Sequence, residues 1–251
     1  GTRVTFSPDP QIFKDRVFHY DTLAKRMREI AFLNRGLRVT IADEREEPRK
    51  ESFYYEGGIR EFITELNRGR EAVHAEPLFF EGEQDGTLVE IAFQYTQSYD
   101  ERILSFCNNI HTREGGTHLS GFKTVLTRTL NNYAKRENLF KKNEALSGED
   151  FREGITGVVS VKVPEPQFEG QTKMKLGNSE VQGIVETIVG TQLGTYLEEN
   201  PKVGRGLVDK ALELAALSEK AGFSFPGPAD VAPLALASGK TESLTVETMI
   251  E

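Results

Sequence analysis

The sequence predicts an α+β protein: a mixed, largely antiparallel sheet with helices packed on one face. Two observations lead there. Segments that alternate apolar and polar residues are interleaved with segments whose apolar residues recur every three or four positions. Several of the alternating segments are joined by short turns, which suits antiparallel pairing better than a parallel βαβ sheet.

"GTRVTFSPDP" opens on a strand, Arg3–Phe6, and ends in a turn. "YDTLAKRMREIAFLNRG" places Leu23, Met27, Ile30 and Ala31 on one helical face, with Asp21 as cap and Gly36 as stop. "LRVTIAD" (37–43) reads as a strand, "EREEPRKE" as a solvated turn and "SFYYE" as the returning strand. "GGIREFITELNRG" carries Ile59, Phe62, Ile63 and Leu66 at helical spacing. "AEPLFFEGEQDG" reads as a loop with room for a short strand.

"TLVEIAFQY" alternates Val89, Ile91, Phe93 and Tyr95, a half-buried strand, and "ERILSFCNNI" reads as its antiparallel partner across "TQSYD". In "EGGTH" (114–118) Thr117 caps a long helix whose buried face is Leu119, Phe122, Leu126, Leu130 and Tyr133. "TGVVSVKV" (156–163) is a valine-rich strand. The next helix shows Val181, Ile184, Val185, Ile188 and Leu197, with Asn178 or Ser179 as cap and Asn200-Pro201 as stop. "GRGLVDKALELAALSEKAG" is a further short helix, and residues 218–251 read as a loosely ordered extension rich in Pro, Ala, Ser and Gly.

The 251 residues are 37% apolar and 28% charged, the profile of an ordinary globular protein. No run of 18 apolar residues suggests a membrane span. The single cysteine, Cys107, cannot form an internal disulfide and reads as a buried structural thiol; the cytoplasm is the expected location. A net charge of −8 argues against nucleic-acid binding by the whole surface. The start, without Met or a signal-peptide pattern, reads as a piece of a longer protein.

Two stretches carry candidate chemistry. In "PEPQFEGQTKMKLGNSEV" (164–181), glycines flank Gln171-Thr172-Lys173 just ahead of a helix. A helix N-terminus attracts anions, Lys173 adds a mobile unit charge and Gln171 an amide. The set suits a phosphate sensor, although no Walker sequence is present; the residues alone fit a solvated polar loop better. From His111 to Asn143, seven basic residues face two acidic ones, a local +5. Arg128 and Lys135 lie opposite the apolar stripe and Lys123 on its flank, a face able to meet DNA phosphates or simply to be solvated. His19, His74, His111 and His118 show no metal-ligand spacing, and the carboxylates give no isolated catalytic pair.

Several pieces together resemble the B subunits of bacterial DNA gyrase, ATP-dependent type II topoisomerases: "LAKRMREIAFLNRG", "FYYEGGI", "NNIHTREGGTHLSGF", "TRTLNNYAKREN", "DFREGITGVVSVKVPEPQFEGQTKMKLGNSEV" and "YLEENP". The resemblance covers about residues 1–215 in family order. It implies that 1–36 are the last strand and helix of an ATP-binding domain and 37–217 a transducer domain. That domain would have the ribosomal-protein-type fold with a left-handed βαβ crossover, an exception to the usual handedness. It implies that Gln171 and Lys173 contact the γ-phosphate of ATP, that Thr2 helps bind the adenine, and that Lys123 lines the cavity through which DNA passes. Lys123 stands where the family usually has Arg, keeping charge and losing the bidentate fork. Arg128 is the second DNA-facing candidate.

The implied cofactors are ATP and Mg²⁺, bound mainly by regions outside this chain. The implied partners are the gyrase A protein, a second copy of the gyrase B protein and double-stranded DNA, with no membrane. The family's catalytic glutamate, magnesium-binding asparagine and glycine-rich lid have no counterpart in these residues, so the fragment alone holds no catalytic residue. The alternatives are a stand-alone binding or scaffold module, or the equivalent polypeptide of topoisomerase IV.

Overall fold

The computed structural model describes residues 8–43, 48–140 and 145–220. The strand expected at Arg3–Phe6 and nearly all of the 218–251 extension lie outside them. The chain divides into two units, 1–215 and 216–251; of the second, the end of one helix lies among the described residues.

The elements run α1 (Tyr20–Leu33), β1 (Val39–Asp43), β2 (Arg49–Phe53), α2 (Ile59–Leu66), β3 (Leu78–Gln84), β4 (Thr87–Tyr95), β5 (Arg102–Cys107), β6 (Ile110–His111), α3 (Thr117–Arg136), β7 (Ile155–Lys162), β8 (Phe168–Glu169), β9 (Lys175–Leu176), α4 (Ser179–Glu199) and α5 (Pro201–Lys220). Among the described residues the main sheet is ordered β3-β4-β7-β5-β6. It is mixed: β7 is antiparallel to β4 and parallel to β5, with Ile91 opposite Val159 and Ser105 opposite Val159 on the other side.

Helices cover both faces of this sheet, not one. Val89, Ile91, Phe93 and Tyr95 of β4, with Val159 and Val161 of β7, point into the core beneath α3 and α4. The intervening residues Ala92 and Val158, with Phe106 of β5, face Phe32 and Leu33 of α1 and Ile59, Phe62 and Ile63 of α2. Period-two alternation puts each residue of a central strand on one face or the other. Where both faces are covered, apolar residues run on without a polar partner, as in "IAF" and "GVV". β4 is therefore buried on both faces from Ile91 to Tyr95.

β7 separates β4 from β5, so "ERILSFC" is not the antiparallel partner of β4. α3 makes the crossover that lays β7 parallel to β5. The stretch read as a loop with room for a short strand holds the seven-residue strand β3, closed on β4 by Asp85 and Gly86 at φ of +53° and +74°. Positive φ at both central residues gives a tight turn that follows the strand twist, and an Asp-Gly pair supplies it at little cost.

α1 also differs from its expected face. Tyr20, Ala24, Ala31, Phe32 and Leu33 are buried, while Leu23 is exposed. Asp21 lies inside the first turn, and His19 occupies the cap position without a side-chain bond. Tyr20, Ala24 and Ala31 pack on Phe53 of the β1–β2 hairpin, and Phe32 stacks on Phe62 of α2 with centroids 4.7 Å apart. At α3 the cap position is Gly116, and Thr117 is the first helical residue. α5 begins at Pro201, a residue pre-set for a first helical position.

Candidate functional site

Gln171, Thr172 and Lys173 stand at the tip of a small hairpin, not at the start of α4. β8 and β9 pair Phe168 with Leu176 and Glu169 with Lys175. β9 and the buried Asn178 separate the tip from the helix, and Glu180 supplies the acidic group in its first turn. The Asn178 amide does not cap α4: its Oδ1 accepts the Gln167 N–H at 2.6 Å and its Nδ2 donates to the Glu165 carbonyl at 3.2 Å.

The tip is exposed from Glu169 through Lys173. Gly170 turns the chain at φ +78°, and Lys173 itself adopts φ +54°. That left-handed conformation costs a lysine about 1 kcal/mol that glycine avoids. The Lys173 ammonium lies 5.8 Å from the centroid of the Phe168 ring, and Lys175 pairs with Glu169 at 3.1 Å. The amide and the ammonium thus project from a short ribbon braced at its base, free to meet an external anion.

The base of the hairpin is joined to the start of α3. Glu114 N–H donates to the Met174 carbonyl at 3.0 Å and Leu176 N–H to the Gly115 carbonyl at 3.1 Å, and Gly116 forms a parallel bridge with Leu176. Gly116 is at φ +132°.

Three basic residues of α3, Lys123, Arg128 and Arg136, are paired. Lys123 meets Glu101 at 2.6 Å, and Arg152 meets the other oxygen of the same carboxylate at 2.9 Å. Burial pushes the Glu101 carboxyl up, but the hydrogen bonds from Lys123 and Arg152 outweigh it and hold the group below the usual carboxylate range. Arg128 meets Glu186 of α4 at 2.9 Å, and Arg136 pairs with Glu198. Arg128 and Arg136 flank a groove of about 490 Å³ between α3 and α4, also lined by Asn132, Thr187 and Thr191. The carboxylates from α4 and Glu101 reduce the positive field that the α3 sequence alone suggests. Lys141 and Lys142 lie outside the described residues, as does Thr2.

Cys107 is buried and its thiol is pushed up to about 11 by burial. His118, at the start of α3, is fully buried, bonds Thr112 Oγ1 through Nε2 at 3.1 Å and is pushed down to about 4 by burial. No three His, Cys, Asp or Glu side chains gather into a metal site among the described residues. No helix among them is long and apolar enough to cross a membrane.

The hairpin was not legible as a hairpin. Its strands are two residues long, below the length at which alternation gives a signal. Asn178, which holds its root, reads in the sequence as a helix cap and gives no sign of that role.

The family model described as DNA gyrase B matches residues 58–222. The DNA gyrase B protein of Clostridium acetobutylicum is 55% identical over 223 residues, 88% of this chain and 35% of that protein. That of Halalkalibacterium halodurans is 53% identical over the same shares. The chain thus spans about a third of the length of these relatives. Among solved structures, the 43K ATPase domain of Thermus thermophilus gyrase B, in complex with an aminocoumarin, matches with a TM-score of 0.76 at 39% identity, covering 86% of this chain and 58% of that one. The topoisomerase IV ATP-binding domain of Francisella tularensis matches at 0.73 and 26% identity, covering 84% of this chain and 57% of that one. The mixed sheet, the hairpin and the basic helix therefore sit in a chain that belongs to the DNA gyrase B family.

Proposed function

We propose that this chain is the energy-transducing segment of a gyrase B protein, coupling ATP binding and hydrolysis to DNA strand passage and negative supercoiling. Residues 1–36 would close the ATP-binding domain, 37–217 would form the transducer, and the α3 crossover would be left-handed. Lys173 and Gln171 would hold the γ-phosphate of an ATP bound by a neighbouring domain, and Thr2 would contact its adenine. Mg²⁺ and the groups that activate water would come from regions outside this chain. The gyrase A protein, a second gyrase B protein and double-stranded DNA are the partners, and the cytoplasm is the location. Lys123 and Arg128 would face the passing DNA. The higher identity to gyrase B than to the topoisomerase IV domain supports the gyrase reading.

The observation that carries the sensing role is Lys173 itself. A solvated turn has no use for a lysine at φ +54°, where glycine or asparagine forms more easily. Strain retained at an exposed tip supports the reading that the side chain is kept for a ligand. ATP, when bound, supplies the terminal phosphoryl group. The chain's part is to present an ammonium and an amide to it, a charge-assisted contact worth roughly 1.5–3 kcal/mol. Loss of that phosphoryl group removes the contact and releases the angle between domains, the differential interaction a switch requires. In the intact protein Lys173→Ala abolishes most ATP turnover and supercoiling while the fold survives; ATPase near the parent level refutes the role.

A further inference from the structure

The hairpin hangs from a strap, residues 163–167, that has an asparagine at each end. At one end the Asn178 amide holds Gln167 and Glu165. At the other end Asn108 grips Val163 with both atoms of its amide. Oδ1 accepts the Val163 N–H at 2.8 Å, and Nδ2 donates to the Val163 carbonyl at 2.9 Å. Asn108 N–H also donates to the Val161 carbonyl at 2.9 Å.

Asn108 is half of a tight turn between β5 and β6 whose other half, Asn109, faces α1. The Arg26 guanidinium donates to the Asn109 carbonyl at 2.6 Å, and its other arm is aimed by Glu29 at 2.9 Å. Asn109 Nδ2 donates to Asn34 Oδ1 at 3.3 Å. α1 and the root of the hairpin are therefore joined through two consecutive residues.

The choice of asparagine at both positions is informative. Asn108 and Asn109 have φ of +49° and +64°. Asparagine tolerates this backbone as an ordinary turn former does, and unlike glycine it brings an amide to each position. Both amides are engaged in opposite directions, one toward the strap and one toward α1. A carbonyl held by a guanidinium and a backbone held at two points give a direct mechanical path from α1 to the strap.

We propose that the Asn108–Asn109 turn is a positioning element that couples α1, through Arg26, to the root of the Gln171–Lys173 hairpin. The inference rests on the sensing role assigned to that hairpin. In this arrangement a shift of α1 moves the strap and with it the tip, without any new contact being made at Lys173.

Asn108→Gly keeps the turn's backbone and deletes the grip on Val163. Arg26→Ala deletes the grip on Asn109 from a half-exposed site, and Arg26→Lys restores a single donor. In the chain itself, hydrogen exchange of the backbone amides over 163–176 rises about tenfold in Asn108→Gly, which loses two neutral hydrogen bonds, and in Arg26→Ala, which loses one charge-assisted bond, while amides of α5 keep their rates. In the intact protein kcat for ATP falls about tenfold with KM within about twofold, and Arg26→Lys recovers most of it. Unchanged exchange over 163–176 in Arg26→Ala overturns the coupling, whatever Asn108→Gly does. So does unchanged kcat in both variants where Lys173→Ala abolishes turnover. If Lys173→Ala leaves turnover intact, the sensing role falls instead, and the exchange data alone decide whether the turn couples α1 to the strap.

Discussion

Gly116 lies directly against the backbone of Leu176: a Cβ at position 116 would sit 2.5 Å from the Leu176 nitrogen. This contact joins the first turn of α3 to the second strand of the hairpin, and neither backbone can retreat without breaking the bonds that Glu114 and Leu176 make across the seam.

Gly116→Ala therefore destabilises the chain by more than about 3 kcal/mol, because overlap with backbone adds to an unfavourable φ. Gly115→Ala is the milder comparison: its Cβ meets only the flexible end of Leu119, and its left-handed φ costs about 1 kcal/mol. Urea unfolding of the two variants measures the difference; equal losses would contradict the seam.

Lys173→Gly leaves unfolding free energy within about 1 kcal/mol of the parent, since the relief of backbone strain offsets the added freedom of the unfolded chain. If Lys173 serves the proposed sensing role, the same substitution in the intact protein removes most ATP turnover. A stability loss well beyond that range would mean that Lys173 is held by structure rather than kept for a ligand.

His118 sets a pH dependence. Its folded value of about 4 lies below the ordinary 6.5, so between those values the unfolded chain binds more protons. Stability is complete above about pH 6.5 and falls as pH drops toward 4, by about 3 kcal/mol from this group. Denaturant midpoints from pH 7 to pH 4, compared with those of His118→Gln, isolate it: the variant shows the shallower slope. Identical slopes would exclude the histidine as the cause.

Lys123→Ala costs at most about 1 kcal/mol, because the pair is half-exposed and Arg152 still serves Glu101. Its loss raises the Glu101 carboxyl toward the ordinary range, a change that carbon-13 titration of the side chain detects. If Lys123 meets DNA, the same variant also lowers the salt dependence of duplex binding by the intact enzyme by about one counterion.

Cys107 stays unreactive to thiol reagents at neutral pH until the chain unfolds, as burial removes access and suppresses the thiolate. Labelling at a rate above that of global unfolding would show that the edge near β6 opens locally.

The helices and most strands were legible because each buries one set of regularly spaced apolar residues. Ile59, Phe62 and Ile63 of α2, and Phe122, Leu126 and Leu130 of α3, are buried as their spacing requires. The α1 face was misplaced because its ends pack on different neighbours, the hairpin at Ala24 and α2 at Phe32, so no single stripe describes it. The candidate residues were chosen from charge and from family resemblance, and the structure supplied their partners: Glu101 for Lys123, Glu186 for Arg128, a hairpin base for Lys173.

What the sequence determined by itself is local: where the chain is helical or extended, where it turns, and which family its motifs join. Strand order was decided only by the tertiary structure. β7 lies between β4 and β5 although the whole of α3 separates it from either along the chain, and no local pattern encodes which edge a strand will choose. The same holds for the seam at Gly116 and the turn at Asn108. Each is a meeting of segments distant in sequence, whose residues look like ordinary turn formers until the fold brings their partners within hydrogen-bonding reach.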